Sequence, residues 1–213
     1  MKADRKTLVL YAVTDRAWLG GRTLADQVED AIRGGVTFVQ LREKDLPYDE
    51  FVEEAKQIKR VTNRWGVPFV INDNIEVALA AGADGAHVGQ GDRAVAEARA
   101  MLGEGRILGV SAQTVEQAAR AQREGADYLG VGAVFPTGSK PDADDVSLEV
   151  LKEICASVTI PVVAIGGISQ HNVLQLSGSG IAGIAVISAL FAWQDIAGAA
   201  KALRDLCDKV VFV

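Results

Sequence analysis

The sequence is poor in the residues that build covalent or metal-held scaffolds. Its 213 residues include only 2 cysteines and 2 histidines. Cys155 and Cys207 lie far apart in stretches of helical period, with no Cys-x-x-Cys spacing. They read as reduced core or surface thiols rather than a disulfide or a thiolate metal site. His87 falls inside an apolar run and His171 beside a helix start, which reads as core or surface placement. No Ser/His/Asp set, no cysteine nucleophile and no Gly-x-Gly-x-x-Gly after the first strand can be assembled. Positive charge is short as well: 22 Lys and Arg against 28 Asp and Glu give a net charge of −6, which leaves no electrostatic footprint for nucleic acid. The one apolar run near the N-terminus, Leu8 to Val13, is too short for a signal peptide or a membrane span. The expectation is therefore a cytoplasmic protein without a membrane or nucleic-acid partner.

What the chain does have is apolar residues, 49% of the total, and 22 glycines. That is enough for one well-packed core, and the expectation is a single domain over residues 1–213. Short apolar runs at 8–14, 37–42, 68–72, 85–88, 107–111, 128–135, 161–165 and 184–188 read as strands. Between and after them, helical periods run over 23–33, 48–64, 75–81, 94–101, 114–124, 147–156, 172–176 and 195–208. Glycine recurs just before strands two, four, six and eight, where a helix must stop. A recurrence every two strand–helix units, with eight near-equal units, predicts an α/β fold of the (βα)8 TIM-barrel type rather than an open doubly wound sheet.

The most informative stretch is Gly34-Gly-Val-Thr-Phe-Val-Gln-Leu-Arg-Glu-Lys44. Alternation puts Gln40, Arg42 and Lys44 on one face and Val39, Leu41 and Glu43 on the other. Two cations at the end of a buried strand need anions. These are either neighbouring acids such as Glu43 and Asp45, or an anionic ligand. In a barrel, ligands sit at the carboxyl ends of the strands, and those ends are polar throughout. Asp73 and Asp92 follow neighbouring strands and either converge on one hard cation or cap the helices that follow. Gly166-Gly167 and Ile187-Ser188 suit a phosphate site of backbone amides, although a tight turn alone also needs the glycines. Thr137, Ser139 and Lys140 lie on a loop that reads either as a ligand clamp or as plain surface. Together these groups fit a metal-bound diphosphate and a second phosphate.

These residues resemble the thiamin phosphate synthase family. The motifs are Leu10-Tyr-Ala-Val-Thr-Asp15, Gly35 to Lys44, Val70-Ile-Asn-Asp73, His87-Val-Gly-Gln-Gly-Asp92, Gly109-Val-Ser111, Gly132 to Lys140, Ile165-Gly-Gly-Ile168 and Val186-Ile-Ser188. They follow the family's order over nearly the whole chain. The resemblance implies a (βα)8 barrel that condenses hydroxymethylpyrimidine diphosphate with thiazole phosphate, using Mg²⁺ and releasing pyrophosphate. It implies that Gln40, Leu41, Arg42, Glu43, Lys44, Asn72, Ser111 and Lys140 hold the pyrimidine diphosphate. It assigns Mg²⁺ to Asp73 and Asp92, and the thiazole phosphate to Thr137, Gly138, Ser139, Gly167, Ile187 and Ser188. Arg42, Lys44, Ser111 and Lys140 are the implied catalytic groups. A thiazole tautomerase-like isomerase and a non-catalytic regulator that binds thiamin precursors are the alternatives, and a homo-oligomer is left open. The chain departs from the family in reading Thr137-Gly138-Ser139-Lys140 for Thr-x-Thr-Lys, and in the acids Asp142, Asp144 and Asp145 after it.

Overall fold

The computed structural model describes residues 3–89, 94–137 and 145–211. Eight parallel strands close into a barrel in sequence order. They are β1 (Leu10–Val13), β2 (Phe38–Leu41), β3 (Phe69–Asn72), β4 (Gly85–Val88), β5 (Ile107–Ala112), β6 (Tyr128–Val131), β7 (Val162–Ile165) and β8 (Gly183–Val186). Closure is made by β1 against β8, where Leu10 aligns with Ile184 and Tyr11 with Ala185. The helices outside are α1 (Leu24–Arg33), α2 (Tyr48–Trp65), α3 (Ile75–Ala80), α4 (Val95–Leu102), α5 (Val115–Arg123), α6 (Leu148–Ser157), α7 (Ser188–Phe191) and α8 (Ile196–Val211). After β7 the connection is a 3₁₀ turn, Val173–Leu176.

The period of each segment explains its element. Along α2, Phe51, Ala55, Ile58 and Val61 are buried at steps of three and four, which is one helical face against the sheet. Thr23 opens α1 with a capping box to Asp26, and Thr114 and Ser147 cap α5 and α6 by accepting from the backbone amides three residues on. The glycines expected as helix stops, Gly35, Gly82, Gly125 and Gly180, all have positive φ.

Alternation along the strands divides the core in two. Val39, Leu41, Ile71, Leu108 and Leu129 face the helices. Tyr11, Phe38, Val70, Ile107, Tyr128 and Val163 fill the barrel interior. The rings of Tyr11, Phe38 and Tyr128 lie 4.6–6.0 Å apart by centroid and close the middle of the barrel.

Several element boundaries differ from the sequence expectation. β6 ends at Val131 rather than at 135: past it the chain leaves the ladder, and Val134 donates to the Ile165 carbonyl while Val146 donates to that of Ala133. β8 ends at Val186, and Ser188 opens the short helix α7, which no apolar period announces. A 3₁₀ turn at Arg16–Trp18 was also not expected. Between β5 and its predicted end the difference is one residue, Ala112.

At the amino end of the barrel two aspartates do the same job. Asp84 accepts from the Phe69 amide at 2.9 Å and pairs with Lys59 at 2.8 Å. Asp127 accepts from the Leu108 amide at 2.7 Å and pairs with Arg99 at 2.6 Å. Lys59 and Asp84 are each only 13% exposed. Removing one member strands the other charge, so Asp84→Ala should cost about 3 kcal/mol in urea unfolding. Activity per folded molecule should not change, because this end lies away from the strand termini that face the cavity. Lys59→Met in the same chain should recover part of the loss, and no recovery would show that the backbone bond to Phe69 dominates.

Both thiols are free. Burial pushes Cys155 up to about 11 and Cys207 to about 12, which keeps them protonated and inert.

Candidate functional site

The carboxyl ends of the strands enclose a cavity of about 310 Å³. Its floor is Tyr11 and its walls include Gln40, Arg42, Asn72, His87, Ser111, Thr137, Gly167, Ile187 and Ser188. Eight of the residues proposed from sequence therefore meet around one space. A shallower cleft beside it shares Asn72 and is lined by Glu43, Lys44, Asp73, Asn74 and Glu76.

The end of β2 sets the polarity of the mouth. Gln40 is buried, and its amide nitrogen donates to the Tyr11 hydroxyl at 2.5 Å. The Arg42 amide donates to Thr14 Oγ1 at 3.1 Å, and the Thr14 amide donates to the Gln40 carbonyl at 3.0 Å, which ties the ends of β1 and β2 together. Strict alternation stops there. Arg42 turns to the main cavity and Lys44 to the neighbouring cleft.

Pairing of these cations with Glu43 or Asp45 does not occur. Glu43 instead joins Arg16 at 2.9 Å, and Arg16 also reaches Glu54 at 2.5 Å. Among the described residues neither Arg42 nor Lys44 has an ion-pair partner. Leu41 is wholly buried among the outer apolar residues, so only its backbone can face a ligand.

Burial, and then the Glu54 carboxylate beside it, push the Glu43 carboxyl up to about 7. A raised carboxyl pKa means that the folded state keeps a proton that the unfolded chain loses near pH 4.5. Below that pH both states hold the proton, and from there to about 7 stability falls as pH rises. Glu43→Gln should remove this loss. Its stability gain over the wild type should grow between pH 5 and pH 8 by on the order of 1 kcal/mol. An equal gain at both pH values in thermal melts would show that Glu43 does not titrate in this window.

Asp73 does not cap the helix after it. Asn74 does, accepting from the Val77 amide at 2.9 Å. Among the described residues Asp73 is the non-glycine residue with left-handed backbone, φ 61°. Its amide donates to the His87 carbonyl at 2.8 Å, and Asn72 Nδ2 donates to its carboxylate at 2.5 Å. This costly conformation turns the carboxylate toward the cleft beside Lys44. Asp92 lies outside the described residues. No group of three or more His, Cys, Asp or Glu side chains among the described residues could hold a metal by itself. Two carboxylates completed by ligand oxygens and water remain compatible with Mg²⁺, which seldom takes an all-protein cage.

On the far side, Gly166 and Gly167 both have positive φ, and a Cβ on Gly167 would lie 2.4 Å from the Pro136 carbonyl oxygen. The pair is thus required by the approach of the 135–136 segment as well as by the turn. Gly167 still borders the cavity, and its carbonyl is held by Asn172 Nδ2 at 2.9 Å. Ile187 and Ser188 present the first turn of α7, whose leading amides have no acceptor within the helix. Thr137 lines the cavity; Gly138, Ser139, Lys140, Asp142 and Asp144 lie outside the described residues, and Asp145 is exposed.

Sequence reasoning missed how His87, Tyr11 and Tyr128 enter the site. His87 is buried, as a core histidine, yet its Nε2 lies 3.1 Å from Ser111 Oγ and its Nδ1 2.9 Å from the Tyr128 hydroxyl. Parity was the available signal, since position 87 shares the inward face of β4 with Gly85. His171 is exposed.

Comparisons with known proteins show the family. The thiamine monophosphate synthase family model matches residues 10–190. The chain is 53% identical over 194 residues to a thiamine-phosphate synthase of Clostridium tetani, covering 91% of this chain and 93% of the relative. It is 50% identical over 197 residues to that of Ruminiclostridium cellulolyticum, covering 92% and 94%. A thiamine phosphate pyrophosphorylase from Pyrococcus furiosus superimposes with a TM-score of 0.90 at 39% identity, over 97% of this chain and 98% of that one. No helix among the described residues is long and apolar enough to cross a membrane. With the family match running from β1 into α7, the chain is a transferase and belongs to the thiamine monophosphate synthase family.

Proposed function

We propose that the cavity joins hydroxymethylpyrimidine diphosphate to hydroxyethylthiazole phosphate, giving thiamin phosphate and pyrophosphate. The observation that carries this reading is the pair Arg42 and Lys44. They are cations at the end of β2 with no ion-pair partner among the described residues, beside the Asn72–Asp73 corner. Gln40, Arg42, Lys44, Asn72, Ser111 and Lys140 hold the diphosphate substrate, with Leu41 and Glu43 contributing backbone. Thr137, Gly138, Ser139, Gly167, Ile187 and Ser188 hold the thiazole phosphate. Asp73 and Asp92 would hold Mg²⁺, which when bound supplies positive charge to the departing pyrophosphate.

The bond from the pyrimidine methylene to the diphosphate oxygen breaks, and its electron pair leaves with pyrophosphate. Arg42, Lys44 and Lys140 would stabilise the charge that builds on those oxygens, and Arg42 and Lys44 stand at the cavity and its neighbouring cleft before it appears. The electron-rich pyrimidine carries the positive methylene until the thiazole nitrogen donates its lone pair and closes the C–N bond. No proton has to be removed, so positioning replaces a general base. This accounts for a site without a histidine or cysteine nucleophile. We take residues 1–213 as one catalytic domain. We read it as a cytoplasmic enzyme, a reading supported by substrates whose phosphates keep them from crossing bilayers.

Purified protein given both substrates and Mg²⁺ should release pyrophosphate and form thiamin phosphate in equal amounts, and chelation should stop both. Binding of either substrate without release would leave a regulator. Isomerisation of the thiazole without condensation would leave a tautomerase.

A further inference from the structure

A line of hydrogen bonds crosses the barrel interior from Gln40 to Ser111, and its chemistry allows one direction. An amide nitrogen only donates, so Gln40 Nε2 gives a hydrogen to the Tyr11 oxygen at 2.5 Å. Tyr11 then has one proton to place, and the Tyr128 oxygen lies 2.8 Å away. Tyr128, having accepted, passes its own proton toward His87 Nδ1 at 2.9 Å. That nitrogen must present a bare lone pair, which puts the imidazole proton on Nε2, 3.1 Å from Ser111 Oγ. Burial pushes both phenols well above their ordinary range, so each keeps its proton and takes part as donor and acceptor. The opposite direction would aim the Tyr11 hydrogen at the amide hydrogens of Gln40, within a fully buried pair of phenols.

The fold protects this line. A Cβ on Gly109 would lie 2.2 Å from the Tyr128 ring and 2.5 Å from His87 Nδ1, and one on Gly130 would lie 3.1 Å from His87 Cε1. Glycine on β5 and on β6 is what leaves room for both rings.

We propose that Tyr128 and His87 are positioning residues that fix Ser111 as a hydrogen-bond donor toward the cavity. Ser111 Oγ accepts from the imidazole, so its own proton is directed to another acceptor. On the functional reading above, on which this step rests, that acceptor is a ring nitrogen or a phosphate oxygen of the pyrimidine diphosphate. Hydrogen bonds in series polarise one another, so the line also makes Ser111 a better donor than an isolated hydroxyl.

Nitrogen-15 spectra of histidine-labelled protein test the direction without substrate. The chain has 2 histidines, and His171→Gln assigns them. The wild type should show a bare Nδ1 and a protonated Nε2 at His87. Tyr128→Phe, which keeps the ring, should abolish that preference, and Tyr11→Phe breaks the line one step earlier should the first variant fold poorly. A proton on Nδ1 in the wild type, or unchanged spectra in a folded phenylalanine variant, would overturn the proposal.

Kinetics give the second arm. Tyr128→Phe should lower kcat about tenfold, and adding it to Ser111→Ala should cause no further loss. Independent, additive losses would mean that Tyr128 does not act through Ser111. Full activity in Ser111→Ala would instead overturn the placement of Ser111 at the substrate, a failure of the site reading that the spectra would expose as separate.

Discussion

Asp73→Asn should lower Mg²⁺-dependent pyrophosphate release by about 10²–10³-fold while the protein stays folded. Asparagine is the informative replacement because of the backbone. Asp73 sits at φ 61°, a region that asparagine and aspartate enter far more readily than other side chains. Alanine there would add strain and confuse a lost charge with a damaged turn. The amide keeps the size of the side chain and can still meet Asn72, whose Nδ2 now donates to the carboxylate. What it removes is the negative charge offered to a hard cation. The variant should also need more Mg²⁺ to reach half of its residual rate. A variant with near wild-type rate at low Mg²⁺ would make Asp73 a residue of the turn and nothing more.

The fold was legible because its signals are local. Helical and twofold periods, caps at Thr23, Thr114 and Ser147, and glycines stopping the helices before alternate strands each act within a few residues. The same rule located most of the site, since a buried run that turns polar at its carboxyl end marks the mouth of a barrel. The misses have a common cause. Glu43 was one of two candidate partners for Arg42 and Lys44, the other being an anionic ligand, and its partner is Arg16, across the gap between the β1 and β2 loops. For Asp73 the pattern allowed either a helix cap or a cation ligand, and the cap is Asn74, its neighbour. His87 reads as an apolar-run histidine because its partners Tyr128 and Ser111 come from other strands. Contacts between segments distant in sequence leave no periodicity to read. The resemblance to a family filled part of that gap, giving a substrate role to Ser111, which pattern placed only at a polar strand end, and to Gly167, which pattern left between a phosphate site and a turn.

Arg42→Met should cost about 10²–10³-fold in kcat and should not lower the melting temperature. The two results belong together. A guanidinium held in a structural ion pair would reduce stability when removed, because its partner would be left charged and unpaired. Arg42 is half-buried, lines the cavity and has no ion-pair partner among the described residues. Its backbone position is set independently, by the bond from its amide to Thr14 Oγ1, so losing the side chain does not release the strand end. Methionine keeps the length of the stem and its packing, removing only the charge and the fork of donors. Arg42→Lys restores charge without the paired N–H geometry that matches a phosphate, and should fall between wild type and methionine. The division between kcat and KM decides how the cation works. A loss mainly in kcat places its contact with the oxygens of the breaking bond, where charge grows. A loss confined to KM would make it an anchor that holds substrate and transition state equally. A lower melting temperature with activity retained would return Arg42 to the scaffold and leave Lys44 and Lys140 to meet the diphosphate.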